Sequence, residues 1–253
     1  LWRSFEENLS CIEEDCIVES ASAINLGLEG GDIDVENMMT IYWERYYSYI
    51  KELRCYLRKW IATVDTNVTA KTQYIQALYD EDDNVTEDIF LSFNYTLVLE
   101  NVYKIPSSNI CHIHGSIADR NNALVIGHGN KEKFTQAKLK MHQTQKKFED
   151  KKSSIYNALS TYYKRTTKDV GLNIDINKNF FSGLDKVASV YIVGHSLGEV
   201  DLPYFVEIQK NVSHTTQWII ICRNNLEEPG KRDILNKIGV QDERITFLLS
   251  SEF

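Results

Sequence analysis

The sequence predicts an α/β fold built on a parallel sheet with helices on both faces. Two observations predict it. In the second half of the chain, short apolar, β-branched runs alternate with helical patterns. The runs are apolar throughout rather than at every second position, as expected of strands buried on both faces. A third observation concerns function. The polar clusters Asn94-Tyr95-Thr96, His112-Ile113-His114-Gly115, Gly127-His128-Gly129, Gly194-His195-Ser196 and Arg223-Asn224 each follow such a run. In parallel sheets, ligands bind at the carboxyl ends of the strands.

The elements follow in order. Residues 1–36 carry ten acidic residues against one Arg, and Trp2, Phe5 and Leu9 have the spacing of a short helix. Residues 20–34, with Gly27, Gly30 and Gly31, read as a loop. Apolar residues recur three or four apart from Met39 to Val64, which predicts a long amphipathic helix over 36–64. It faces the core or, given its many aromatics, forms a dimer seam or ligand wall. The division expected is a helical N-terminal part, 1–87, packing on the sheet, and an α/β core, 88–253, with a helical insertion at about 131–183, together one compact domain. Strands are expected at 89–93, 109–114, 123–129, 189–196, 217–223 and 244–249, with helices at about 201–210 and 227–238.

Composition narrows the classes. The 253 residues are 43% hydrophobic and 25% charged, as in ordinary globular proteins. A formal charge of -8 disfavours a nucleic-acid binder held by global charge. Residues 131–152, however, hold eight Lys against three acidic residues. That contrast reads as a solvated insertion helix, or as a contact for nucleic acid or a phosphorylated ligand. No apolar run reaches the roughly 18 residues of a membrane helix. Cys11, Cys16, Cys55, Cys111 and Cys222 are scattered without a C-x-x-C pair, which fits reduced thiols and a cytoplasmic setting.

Three chemistries are open. Gly194-His195-Ser196-Leu197-Gly198 matches G-x-S-x-G, the turn that presents a nucleophilic serine. Yet only His214 lies downstream of Ser196, and it precedes a predicted strand, which places it at the opposite end of the sheet. A convergent triad would need His112, His114 or His128 as base. The bland alternative is that Gly194 and Gly198 permit close backbone approach while Ser196 donates to a phosphate or ribose oxygen. Second, His112 and His114, two apart on a strand, point the same way, and with His128 or Asp201 have the makings of a zinc site. Third, they contact an organic ligand. Asp201 is either a polar anchor or a helix N-cap, and Glu100 either reaches the cleft or is a solvated helix residue.

The ordered set SFNYTLVLE, CHIHG, VIGHG and YIVGHSLGEVDLPYF resembles the AbiH family of bacterial abortive-infection proteins. That family is in turn similar to the sirtuin-like domains of anti-phage proteins that consume NAD. The resemblance implies a Rossmann-like core and an NAD site, with glycohydrolase-type cleavage as the activity. It places Asn94 on the residue that orients the nicotinamide ribose and His114 on the catalytic histidine. Gly194 and Ser196 fall on the turn that holds phosphate or adenine ribose, with Asp201 beside it, and Arg223 and Asn224 follow the strand that contacts the adenosine ribose. Thr96 stands where those domains have Asp, and no four-cysteine ribbon is present, which argues against a deacylase. The Gly-rich first strand of both groups is not found, so it is expected upstream of Leu1. The partners implied are a nucleotide, a phage component or partner defence protein, and possible further copies of the chain. A non-catalytic nucleotide-sensing module is the alternative.

Overall fold

The computed structural model describes residues 2–22, 41, 52, 55–63, 88–119 and 124–252. The fold is mixed α/β, with small parallel sheets and many helices. It divides into two compact units, one comprising residues 1–59 and 125–168 and the other residues 60–124 and 169–253.

The first unit is helical. It holds α1 (Trp2–Asn8) and α2 (Glu14–Ser22). Among the described residues its longest helices are the predicted Lys-rich insertion, here numbered α4 (Glu132–Lys146) and α5 (Asp150–Thr166). Ala137, Ile155, Leu159 and Tyr163 are buried together, with Ile12, Ile17, Val18 and Phe134 packed against them. The Lys excess is partly spent inside the unit. Glu14 receives Lys140 at 2.7 Å, Lys133 at 3.3 Å and the Tyr163 hydroxyl at 2.7 Å. Burial alone would raise the Glu14 pKa, but the bonds from Lys140 and Tyr163 outweigh it and hold the carboxyl below its ordinary value. Of the predicted long helix over 36–64, residues 41, 52 and 55–62 are helical, with 60–62 already in the second unit, and Thr63 is a turn. Leu57 and Ile61, four apart, are buried, and Tyr56 and Trp60 lie exposed. The remainder of that helix, and the 20–34 loop beyond Ser22, fall outside the described residues.

The second unit holds the five strands found among the described residues. β1 (Phe90–Ser92) is followed by α3 (Val98–Asn101) and by β2 (Ile110–His112), which pairs parallel with β1. Next come α6 (Val170–Ile176), α7 (Lys178–Ser182) and β3 (Ser189–Ile192). Then α8 (Leu202–Asn211), β4 (Gln217–Cys222), α9 (Glu228–Lys237) and β5 (Ile245–Leu249) complete the unit. β3, β4 and β5 form a second parallel sheet in that order. Ile113, Ile192, Trp218, Ile220 and Leu235 share one core, with Leu91 and Cys111 packed against it, so both sheets contribute to the same apolar interior.

One expected strand is missing. Residues 123–129 were expected to pair into the sheet. Among the described residues this stretch instead makes one isolated parallel bridge, His128 to Thr167. Leu124 and Ile126 are buried all the same. The apolar pattern reported burial, which an extended segment achieves without ladder pairing.

Candidate acid–base site

The loops leaving β1, β2 and β3 bring several sequence-predicted residues together in the second unit. β2 ends at His112, and Gly115 turns the chain with φ +80 while its N–H donates to the His112 carbonyl at 2.9 Å. That geometry favours glycine, which has no Cβ to clash. The strand therefore stops between the two histidines, and they turn to different carboxylates. His112 Nε2 lies 2.8 Å from Glu100 Oε1. His114 Nε2 lies 3.4 Å from Asp201 Oδ1.

Asp201 is the centre of the arrangement. It occupies the N-cap position of α8, but its side chain makes no capping bond. One oxygen faces His114 and the other faces His195 Nε2 at 3.6 Å. The His195 tautomer follows from its other contact. The Leu197 N–H donates to His195 Nδ1 at 2.9 Å, so the ring proton sits on Nε2, toward Asp201. Leu197 holds φ +54, the left-handed region that costs a non-glycine residue roughly 1 kcal/mol or more. Its side chain is buried. Apolar packing thus holds a backbone N–H where it fixes an imidazole.

Aromatic rings enclose the two histidines. Phe93, one residue past β1, lies 4.4 Å from the His195 ring and 5.4 Å edge-on from the His114 ring. Tyr204 and Tyr95 lie 5.6 and 6.3 Å from His114, and Phe205 stacks on Phe93 at 5.5 Å. Asn173 fixes Tyr204 by donating to its hydroxyl at 3.0 Å. His114 is 3% exposed, and its Nε2 has no hydrogen-bond partner, because the Asp201 contact is close but poorly aligned. A buried polar atom left this way costs about 1–3 kcal/mol, so such atoms call for an explanation.

The other predicted residues divide. The Asn94 side chain is exposed just past β1, while its backbone carbonyl meets His112 Nδ1 at 3.1 Å. Gly194 takes φ +68, and a Cβ there would meet nothing within 4 Å, so the turn presents open backbone. Ser196 is exposed. Neither nitrogen of His195 is turned to Ser196, since one accepts from Leu197 and the other faces Asp201. Helix α8 begins six residues after Ser196, not directly behind it as in a nucleophile elbow. At the end of β4, Arg223 is 84% exposed in its side chain and pairs with Glu227 at 3.5 Å, while Asn224 caps the next turn by accepting from the Leu226 N–H.

His128 belongs to the other unit and has a packing role there. It is buried, its Nδ1 accepts from the Asn130 N–H at 3.1 Å, and its Nε2 lies 3.2 Å from Thr166 Oγ1. A Cβ on Gly127 would sit 2.3 Å from the Thr166 carbonyl oxygen, so glycine is required by the close approach of two chain segments. Among the described residues, no three His, Cys, Asp or Glu side chains are grouped to hold a metal ion. No helix among them is long and apolar enough to cross a membrane.

A family model described as Bacteriophage abortive infection AbiH matches residues 1–222. The chain belongs to the AbiH family. The AbiH match takes in the described part of the first unit and the second unit as far as Cys222, so Arg223-Asn224, α9 and β5 lie beyond it. It makes this a phage abortive-infection defence protein. No curated protein and no solved structure matches the chain.

Within this AbiH chain, reading from sequence overlooked His195, Phe93 and Tyr204. In G-x-S-x-G, His195 is merely the variable position. The available signal was an imidazole and a carboxylate in the same strand-to-helix loop, His195 and Asp201, with aromatics in the segment Leu202-Pro203-Tyr204-Phe205 that follows.

Proposed function

We propose that this AbiH protein acts in phage defence through a sirtuin-like nucleotide site that binds NAD and cleaves its nicotinamide–ribose bond. The observation that carries the reading is the Asp201 carboxylate between His114 and His195, in the loops that follow β2 and β3. That is the position where α/β sheets place ligands. Leaving nicotinamide generates an oxocarbenium-like centre. A carboxylate flanked by imidazoles suits such a centre. In this reading His114 carries its proton on Nε2, the nitrogen nearer Asp201, and Nδ1 accepts a proton from a ribose hydroxyl or the attacking water. Proton transfer of this kind contributes roughly 10²–10⁴-fold. The exposed Asn94 amide supplies donors and an acceptor for ribose, and the open backbone at Gly194 with the Ser196 hydroxyl suits phosphate or ribose oxygens. The family resemblance assigns the adenosine end to Arg223 and Asn224.

The test is direct. Full-length protein is incubated with NAD, with and without phage, and nicotinamide is followed by chromatography. Release that disappears in the His114→Ala variant is the expected result. Absence of release in both conditions overturns the catalytic reading. A second reading, nucleotide sensing without turnover, is favoured by the burial of His114 and by Thr96 in place of a carboxylate. Calorimetry showing NAD binding without nicotinamide release selects it.

A further inference from the structure

The His112–Glu100 pair has no part in the chemistry above, and its hydrogen bonds define a task. His112 Nδ1 meets the Asn94 carbonyl oxygen at 3.1 Å, and a carbonyl only accepts, so Nδ1 carries a proton. Nε2 meets Glu100 Oε1 at 2.8 Å. A carboxylate also only accepts. Both contacts are satisfied together only when a second proton lies between ring and carboxyl group. The Asn94 backbone is meanwhile held from a second side. Its N–H donates to Ser92 Oγ at 3.3 Å, and Ser92 Oγ donates back to its carbonyl at 3.2 Å. Ser92 is buried, and the His112 and Glu100 side chains are 13% and 15% exposed, so the clamp is largely shielded from water. The Asn94 side chain remains exposed.

We infer that His112 and Glu100 are positioning residues that fix the Asn94 peptide so that its side-chain amide meets the ligand already oriented, with a proton held between them to close the clamp. The inference rests on the reading of Asn94 as a ligand contact. An amide held by a clamped backbone loses little freedom on binding, which is how such supporting residues raise affinity. Glu100 Oε2 is buried without a hydrogen-bond partner. That position tolerates a neutral oxygen better than a charged one. Glu100→Gln should therefore preserve the clamp. Its amide N–H donates to the His112 Nε2 lone pair, its carbonyl oxygen takes the orphaned position, and no extra proton is needed.

The experiment measures NAD binding by calorimetry for the unchanged full-length chain and for Glu100→Gln, Glu100→Ala and His112→Ala. It adds ¹⁵N spectra of the His112 ring. The expected result is a loss of about tenfold or more in affinity for both Ala variants and a change of less than about threefold for Gln. The spectrum should show Nδ1 protonated in both the unchanged chain and Glu100→Gln, with Nε2 protonated or proton-sharing only in the former. Equal binding by all four proteins overturns this inference and leaves the nucleotide reading standing. Loss with Gln as great as with Ala also overturns it, since the carboxylate would then act on the ligand itself. No binding by the unchanged chain removes the nucleotide reading and this inference with it. Thermal unfolding confirms that each variant folds. Should an Ala variant not fold, the ¹⁵N spectrum of Glu100→Gln decides, and an unprotonated Nδ1 there overturns the inference.

Discussion

His114 and His128 look alike in the sequence: each precedes a glycine, and each follows an apolar run. Both are buried. They differ in what their nitrogens meet. In the helical unit, both nitrogens of His128 have neutral hydrogen-bond partners, Asn130 and Thr166, and the neighbouring Gly127 is demanded by backbone contact. In the strand-bearing unit, His114 faces a carboxylate shared with a second imidazole, and its Nε2 lacks a hydrogen bond. One histidine is satisfied and the other is poised. A motif names a residue type, whereas partners and their alignment decide its role.

The largest expected effect sharpens the functional side. His114→Ala should lower nicotinamide release by roughly 10²–10⁴-fold in a full-length assay. A drop of less than threefold would make His114 a packing residue like His128. The next effect is structural. Lys168 and Glu6 form a buried pair at 2.9 Å, with side chains 1% and 6% exposed. Glu6→Ala takes the carboxylate away from a buried ammonium and should cost about 3–5 kcal/mol, read from urea unfolding. Nicotinamide release per folded molecule should not change. Gly127→Ala forces a Cβ into the Thr166 carbonyl and should cost about 1–3 kcal/mol in the same measurement. Gly194→Ala has room for its Cβ but an unfavourable φ, and should cost about 1 kcal/mol.

A smaller effect reads the environment of His128 through pH. Burial, aided by the nearby positive charge of Lys133, pushes the His128 pKa below its ordinary value of 6.5. The unfolded chain then takes up a proton that the folded chain resists. This contribution is intact above about pH 6.5 and is lost as pH falls from there toward the folded value. The free energy of unfolding should decline between pH 7.5 and 5.5 by up to about 1 kcal/mol from this group, and His128→Gln should flatten that decline. The same slope in both proteins would place the titration elsewhere.

Much of the fold was legible. The strands at 90–92, 110–112, 189–192, 217–222 and 245–249 lie inside the stretches expected from continuous apolar runs. The helices Leu202–Asn211 and Glu228–Lys237 lie within a residue or so of their expected limits. Parallel pairing followed from strand–helix alternation. The 123–129 stretch misled because local pattern records what is buried, and pairing depends on a partner far along the chain. The site was half legible for a related reason. His114 and Asp201 stood out as polar residues at strand ends. Their meeting depends on the Gly115 turn, the left-handed Leu197 and the packing of Phe93 against His195, which no spacing rule reports. Asp201 read equally as a cap, and only its geometry separates the two roles.

One titration bears most directly on the central claim that Asp201 gathers His114 and His195 into a ligand site. NAD is added to the full-length chain, and the imidazole carbon–proton resonances of all six histidines are followed. The account predicts that the signals of His114 and His195 move together and saturate at one concentration while that of His128 stays in place. Movement of His128 with His114 and His195 unmoved, or no movement at all, contradicts it.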